Sequence, residues 1–182
     1  MSAVRLGKLK TIYQGAIFTM REREVVLPDG TKKRWEYCER VPSVSIMAFD
    51  ARGRLLMLKE QRRRQAEPEW FLPGGKVDKG EKPLVAARRE LQEEAGYRAR
   101  KIKLAYKKFS SSTTLFWDIY VFAAKDLEYK PLKGDEVFPI TVVPVSLSKA
   151  VSMAKKGIIK NEFIAYTIIR FYEMLRSKEF IW

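Results

Sequence analysis

The segment from Pro83 to Gly96 constrains the fold of this chain more than any other, because both of its ends are marked. Proline has the fixed φ of a first helical position, and it lacks only an N–H that a helix start leaves unbonded anyway. Glycine suits the left-handed residue with which a chain commonly leaves a helix. Residues 84–95 therefore read as a helix. At about 100° per residue, Leu84, Ala87, Leu91 and Ala95 fall on one arc, while Glu90, Glu93 and Glu94 fall on another.

The segments on either side have strand character. Residues 12–20, 23–27 and 32–38 are rich in β-prone types, and Pro28-Asp29-Gly30 between the last two is a hairpin signal. A second hairpin is expected from residues 44–50 and 54–59 around Ala51-Arg52-Gly53, and Trp70-Phe71-Leu72 runs into the sharp loop Pro73-Gly74-Gly75. Beyond the helix, residues 101–109 and 116–124 return to strand character, and 137–145 is extended with interruptions at Pro139 and Pro144. Ser146 caps an expected helix that ends at Gly157, and Asn161 caps a last one through Leu175. Strands before and after one central helix, with helices at the end, indicate an α/β chain: an α/β/α sandwich around a mixed sheet. Residues 1–41 form a small N-terminal antiparallel sheet in this reading, and 42–182 form the main domain.

The chain contains no histidine, which removes imidazole acid/base catalysis, Ser-His-Asp and Cys-His nucleophiles, and His-ligated zinc. Its one cysteine, Cys38, can form no internal disulfide and no cysteine zinc cluster, which fits a reducing compartment. Residues 1–10 lack the apolar core of a signal peptide, and no uninterrupted apolar stretch reaches the length of a membrane span. A cytoplasmic protein without membrane association is expected. Lys and Arg number 36 against 22 Asp and Glu, a formal charge of +14 that attracts nucleic acid, anionic membrane or phosphorylated small molecules alike.

An acidic helix face is ordinarily a solvated one, but carboxylates at i, i+3 and i+4 repel unless something cationic neutralises them, which weighs against that reading for Glu90, Glu93 and Glu94. The chain around them reads Gly75, five residues, Glu81, seven residues, then Arg89-Glu90-Leu91-Gln92-Glu93-Glu94-Ala95-Gly96-Tyr97. So many fixed residue types at fixed spacing would arise by chance with a probability on the order of one in a million. This segment resembles the Nudix box, and the resemblance implies a hydrolase that cleaves a nucleoside diphosphate linked to another group with the help of Mg²⁺ or Mn²⁺. Oxygen-only ligands independently favour such hard cations over zinc. By position in the box, Glu90 and Glu94 match the family's principal metal ligands, Glu93 matches a third carboxylate binding directly or through water, and the Gly74 carbonyl matches a further ligand. Glu81 and Arg89 match the pair that supports them, with Arg89 also holding Glu93. Tyr97 departs mildly, because an aliphatic residue is usual there.

The flanks resemble the ADP-ribose pyrophosphatase branch, from about residue 12 to 175. In that branch the arginine matching Arg63 in Gln61-Arg62-Arg63 holds the diphosphate, a role suited to a guanidinium fork; Arg62 is a second candidate, and for both Arg62 and Arg64 a solvent-facing charge is the competing reading. Arg34-Trp35-Glu36 resembles a segment with which the N-terminal sheet of a second subunit binds adenine in a swapped homodimer, Trp35 stacking and Glu36 accepting. A packing role for Trp35 is the competing reading. ADP-ribose hydrolases commonly have proline where this chain has Ser112, and glutamate where it has Phe71, so a nucleotide sugar or a dinucleotide stands beside ADP-ribose as substrate. With the box carboxylates on metal, the base must come from elsewhere; Gly134-Asp135-Glu136 lies in the region the family uses, with Glu136 preferred over Asp135 and Glu128 more remote. A reading of another class is a nucleic-acid-binding protein on a Nudix platform, resting on the charge and on Arg62-Arg63-Arg64 and Lys107-Lys108, with a capped-RNA hydrolase in between. No recognisable nucleic-acid motif accompanies those runs, and the full carboxylate set favours the enzyme.

Overall fold

The computed structural model of the chain describes residues 3–61, 67–134 and 137–182. In order along the chain they form β1 (Arg5–Leu6), β2 (Lys10–Gln14), β3 (Phe18–Val26), β4 (Lys32–Ala48), β5 (Leu55–Glu60), β6 (Glu69–Phe71), α1 (Pro83–Glu94), β7 (Tyr97–Ser111), β8 (Leu115–Tyr129), β9 (Ile140–Val145), α2 (Leu147–Lys155) and α3 (Glu162–Arg176). One sheet has the order β1-β3-β4-β8-β7 with β2 also on β3, and a second has the order β6-β5-β9. The first sheet is mixed. β3 and β4 are antiparallel, whereas the bonds Cys38 N–H to Thr114 O and Phe49 N–H to Ala124 O show partner numbers rising together, so β4 and β8 run parallel.

The chain divides into two compact units. The first comprises Met1–Pro42 and Lys108–Ile119. Its hairpin keeps register from Phe18↔Arg40 to Val26↔Lys32 and turns at Asp29, whose carboxylate accepts from Thr31 N–H at 2.9 Å, and at Gly30 with φ +85°. Two expectations are corrected in this region. Residues 12–20 are not one strand, because Gly15 N–H bonds Phe18 O and folds the chain between β2 and β3. Residues 32–38 and 44–50 are not separate strands, because β4 passes through Pro42 and continues to Ala48.

The second unit comprises Ser43–Lys107 and Tyr120–Trp182 and holds the main hydrophobic cluster. β5 lies at the centre of the smaller sheet, with Leu55, Leu56, Met57 and Leu58 all fully buried or nearly so. Pro144 faces Leu56 from β9, an edge strand, which is where a sheet tolerates proline. α1 begins at Pro83 and gives way to Gly96 at φ +79°, as its end signals require. Its core contacts are Ala86, Ala87 and Leu91; complete burial of Leu91 alone contributes about 2 kcal/mol. Leu84, expected on that face, is left 41% exposed in the first turn. Ser146 Oγ and Asn161 Oδ1 accept from Lys149 and Ile164 N–H and cap α2 and α3 as expected. No helix among the described residues is long and apolar enough to cross a membrane.

Candidate active site

The loop after β6 is pinned to β4 by two bonds, Ile46 N–H to Pro73 O and Val44 N–H to Gly75 O, both 2.8 Å. This close approach requires glycine: a Cβ on Gly74 would strike the Val44 carbonyl oxygen and the Ser45 Cα, both backbone atoms. Gly74 N–H is thereby presented to α1, and it donates to Glu94 Oε2 at 2.7 Å. Gly75 provides a second cradle. A Cβ there would lie 2.5 Å from Glu90 Oε1, so the Glu90 carboxyl occupies the space that a side chain would take.

The acidic face of α1 is not a solvated one. Glu90 and Glu94 are only 6% and 9% exposed. Three carboxylates can crowd together here because Arg89 reaches across them: its guanidinium donates to Glu81 Oε1 and Oε2 at 3.1 Å each, to Glu90 Oε1 at 2.8 Å, to Glu93 Oε2 at 2.8 Å and to Lys76 O at 3.2 Å. The hydrogen bond from Arg89 holds the Glu81 carboxyl below its usual range against the opposing effect of burial, and that same bond holds the Arg89 guanidinium above its own. Glu81 is fixed in turn by Asp78, which donates its N–H to Glu81 Oε2 at 3.0 Å while its carbonyl accepts Glu81 N–H at 2.9 Å. Asp78 and Lys76 were not singled out from sequence. The Asp-x-Gly turn signal at Asp78-Lys79-Gly80, with Gly80 at φ +82°, could have found the first.

The structure thus brings Glu81, Arg89, Glu90, Glu93, Glu94 and Gly74 together. Among the described residues, no three His, Cys, Asp or Glu side chains converge as a ready-made cation cage; the box carboxylates are turned onto Arg89 and the Gly74 N–H. The donor chemistry nevertheless fits a hard divalent cation, since every candidate ligand is an oxygen and two of the carboxylates are nearly enclosed. Arg62, Arg63, Asp135 and Glu136 lie outside the described residues. Trp35 and Glu36 are in the first unit, where Arg34, Trp35, Glu36, Tyr37, Thr113 and Thr114 line a cavity of about 580 Å³. Trp35 is 42% exposed, so its indole is not packed into a core.

Residues 39–164 match the model of the NUDIX domain family. The chain is 29% identical over 161 residues to an ADP-ribose pyrophosphatase from Bacillus subtilis (strain 168), covering 86% of each. It is 26% identical over 175 residues to a methanol dehydrogenase activator from Bacillus methanolicus, covering 94% of this chain and 95% of that one. A crystal structure of an ADP compounds hydrolase superposes with a TM-score of 0.82 at 20% identity, covering 98% of this chain and 97% of the other.

Proposed function

Since the chain belongs to the NUDIX family and is a Nudix pyrophosphohydrolase, we propose that its substrate is ADP-ribose, cleaved to AMP and ribose 5-phosphate. The observation that carries this reading is the Arg89-ordered carboxylate cluster on α1, together with the likeness along most of the chain to an ADP-ribose pyrophosphatase. Enzymes of this family use divalent metals. Glu90 and Glu94, with Glu93 and the Gly74 carbonyl, would hold Mg²⁺ or Mn²⁺, which when bound neutralises charge developing on the diphosphate. The carbonyls on either side of Gly74 are taken up by β4, which supports a different direction for its own.

Arg89 holds Glu81, Glu90 and Glu93 together, which would restrict the rotamers open to the metal-binding carboxylates. Arg63, with Arg62 beside it, would anchor the diphosphate, and Glu136 would take the proton of the attacking water. Trp35 would stack on adenine while Glu36 accepts from it, a role supported by the open cavity around them. A homodimer, in which a second copy supplies that cavity to the first copy's site, belongs to the same proposal. It is supported by the exposed apolar residues of the first unit, Ile12, Tyr13, Ile17 and Phe18. The proposed setting is the cytoplasm.

A panel of ADP-ribose, nucleotide sugars, dinucleoside polyphosphates, NTPs and capped RNA, assayed with Mg²⁺ and with products resolved, tests the reading. ADP-ribose should have the highest kcat/KM, chelation should abolish turnover, and Glu94→Gln should lower kcat by several orders of magnitude with the fold intact. Full activity in EDTA would discard the mechanism, and a preference for another diphosphate would discard the substrate. Trp35→Ala should mainly raise KM and Glu136→Gln mainly lower kcat, because stacking is shared by ground and transition states whereas proton removal is not.

A further inference from the structure

The first unit holds another cavity, of about 510 Å³, formed by the hairpin of β3 and β4 and by the segment that joins β1 to β2. Its lining contains two carboxylates, Glu22 and Glu24, against six Lys or Arg side chains. Strand register explains how these charges sort. Both carboxylates stand on β3, and each is paired diagonally with a cation of β4: Arg34 Nη1 lies 3.5 Å from Glu22 Oε2, and Lys32 Nζ lies 3.4 Å from Glu24 Oε1. The other four cations are left over. Lys10 stands opposite Glu22 in register from β2 without an ion pair to it, and among the described residues Lys8, Arg23 and Lys33 make none either. Lys33 feels the Asp29 carboxylate only beyond ion-pair distance.

The cavity is built by the backbone and by packing. Gly7 N–H donates to Glu24 O at 2.8 Å, and a Cβ on Gly7 would lie 3.0 Å from that same oxygen, so glycine lets the chain run close along β3 just before Lys8. Arg23 is half-buried, with its guanidinium carbon 5.4 Å from the centroid of the Tyr37 ring, and its Nε is enclosed with no hydrogen-bond partner. Packing on an aromatic ring, not a carboxylate, therefore orients this guanidinium. Four cations around one concavity repel one another, and an anion of several charges relieves that repulsion.

The lining also narrows the kind of anion. Every side-chain cation on offer is a Lys or Arg nitrogen, the chemistry that binds phosphate oxygens. Among the described residues no aromatic side chain lines the cavity, so a nucleobase has nothing to stack on. We propose that this cavity is a second ligand site, formed by residues other than those of the α1 cluster, which takes a short chain of phosphates through Lys8, Lys10, Arg23 and Lys33. It rests on none of the substrate roles given above.

Isothermal titration calorimetry of the full chain in EDTA, with inorganic tripolyphosphate as the titrant, tests the site. Tripolyphosphate should bind about tenfold or more tightly than inorganic phosphate, because more charge-assisted bonds form. Lys8→Gln combined with Lys10→Gln should weaken that binding about tenfold or more, as should Arg23→Gln. Both variants should leave kcat and KM for ADP-ribose within twofold, and Glu94→Gln should bind tripolyphosphate as the wild type does. Lys8 and Lys10 are exposed, so the lysine variant decides the matter even if Arg23→Gln fails to fold. Absence of binding at millimolar tripolyphosphate, or equal binding by the wild type and the lysine variant, would overturn the inference. So would a raised KM for ADP-ribose in the lysine variant, which would assign the cavity to the substrate. A single-stranded oligothymidylate that binds more tightly than tripolyphosphate through the same lysines would overturn it in favour of a nucleic-acid surface. The calorimetric results need no turnover, so they stand whether or not ADP-ribose is the substrate.

Discussion

Removing the Arg89 guanidinium is the sharpest test of what lets Glu81 crowd against Glu90 and Glu93 of the α1 face. Arg89→Ala leaves Glu81, Glu90 and Glu93 without the donor they share, and these carboxylates are mostly enclosed, with side-chain exposures of 12%, 8% and 18%. Breaking a buried pair from one side costs about 3–5 kcal/mol, whereas an exposed pair contributes about 1 kcal/mol or less. Arg89 itself is 26% exposed, which places the loss between those limits, at roughly 3 kcal/mol. For a chain of this size that corresponds to a Tm lowered by about 6–12 °C. Thermal melts by circular dichroism in EDTA and again in millimolar Mg²⁺ read the effect. Mg²⁺ should raise the Tm of Arg89→Ala more than that of the wild type, because it would bring positive charge back to where the guanidinium has been removed. Arg89→Lys should recover only part of the loss, since an ammonium is a point charge and cannot fork to Glu81 while also reaching Glu90 and Glu93. A Tm within 2 °C of wild type for Arg89→Ala in EDTA would refute the idea that Arg89 holds the face together.

Gly74→Ala should destabilise the protein by about 2 kcal/mol and depress activity together, because the new methyl meets backbone atoms of Val44 and Ser45 that cannot rotate away; an unchanged Tm would contradict that close approach. Although burial pushes the Asp50 carboxyl up, bonds from the main-chain N–H and side chain of Arg54 and from the N–H of Arg52 outweigh it and hold it below its usual range. Its folded value being the lower one, Asp50 contributes stability that is full above about pH 4 and is lost as pH falls through the folded value, so Asp50→Asn should flatten the fall of Tm below that pH. Asn161→Ala should cost about 1 kcal/mol through loss of the 3.1 Å bond to Ile164 N–H, read as a shift in urea midpoint at constant m-value.

The parts of this structure that could be read from sequence are those determined by a residue's own backbone. Pro83 and Gly96 bound α1, and Ser146 and Asn161 open the later helices, because a fixed φ, a left-handed φ or a short side-chain acceptor acts within one turn of chain. Where burial is decided by partners far away, the pattern misleads. Leu84 has the right spacing for the core face, but the helix is set by Ala86, Ala87 and Leu91, and the larger side chain is left outside. Residues 32–38 and 44–50 read as two strands, and β4 runs from Lys32 through Pro42 to Ala48.

The acidic face is the instructive intermediate case. Repulsion among Glu90, Glu93 and Glu94 demands a positive partner, and that demand is legible from spacing alone. What spacing cannot show is that Glu90 and Glu94 are nearly enclosed, that a missing side chain at Gly75 makes room for one of them, and that a main-chain N–H freed at Gly74 bonds the other. Both glycines precede the helix in a loop with no periodicity of its own, and their roles depend on β4, a strand some thirty residues earlier in the chain. The carboxylates therefore owe their burial to a loop, and the loop owes its position to a sheet. A substitution on β4 that lifts the Pro73–Gly75 loop should loosen the site without touching any residue of the box.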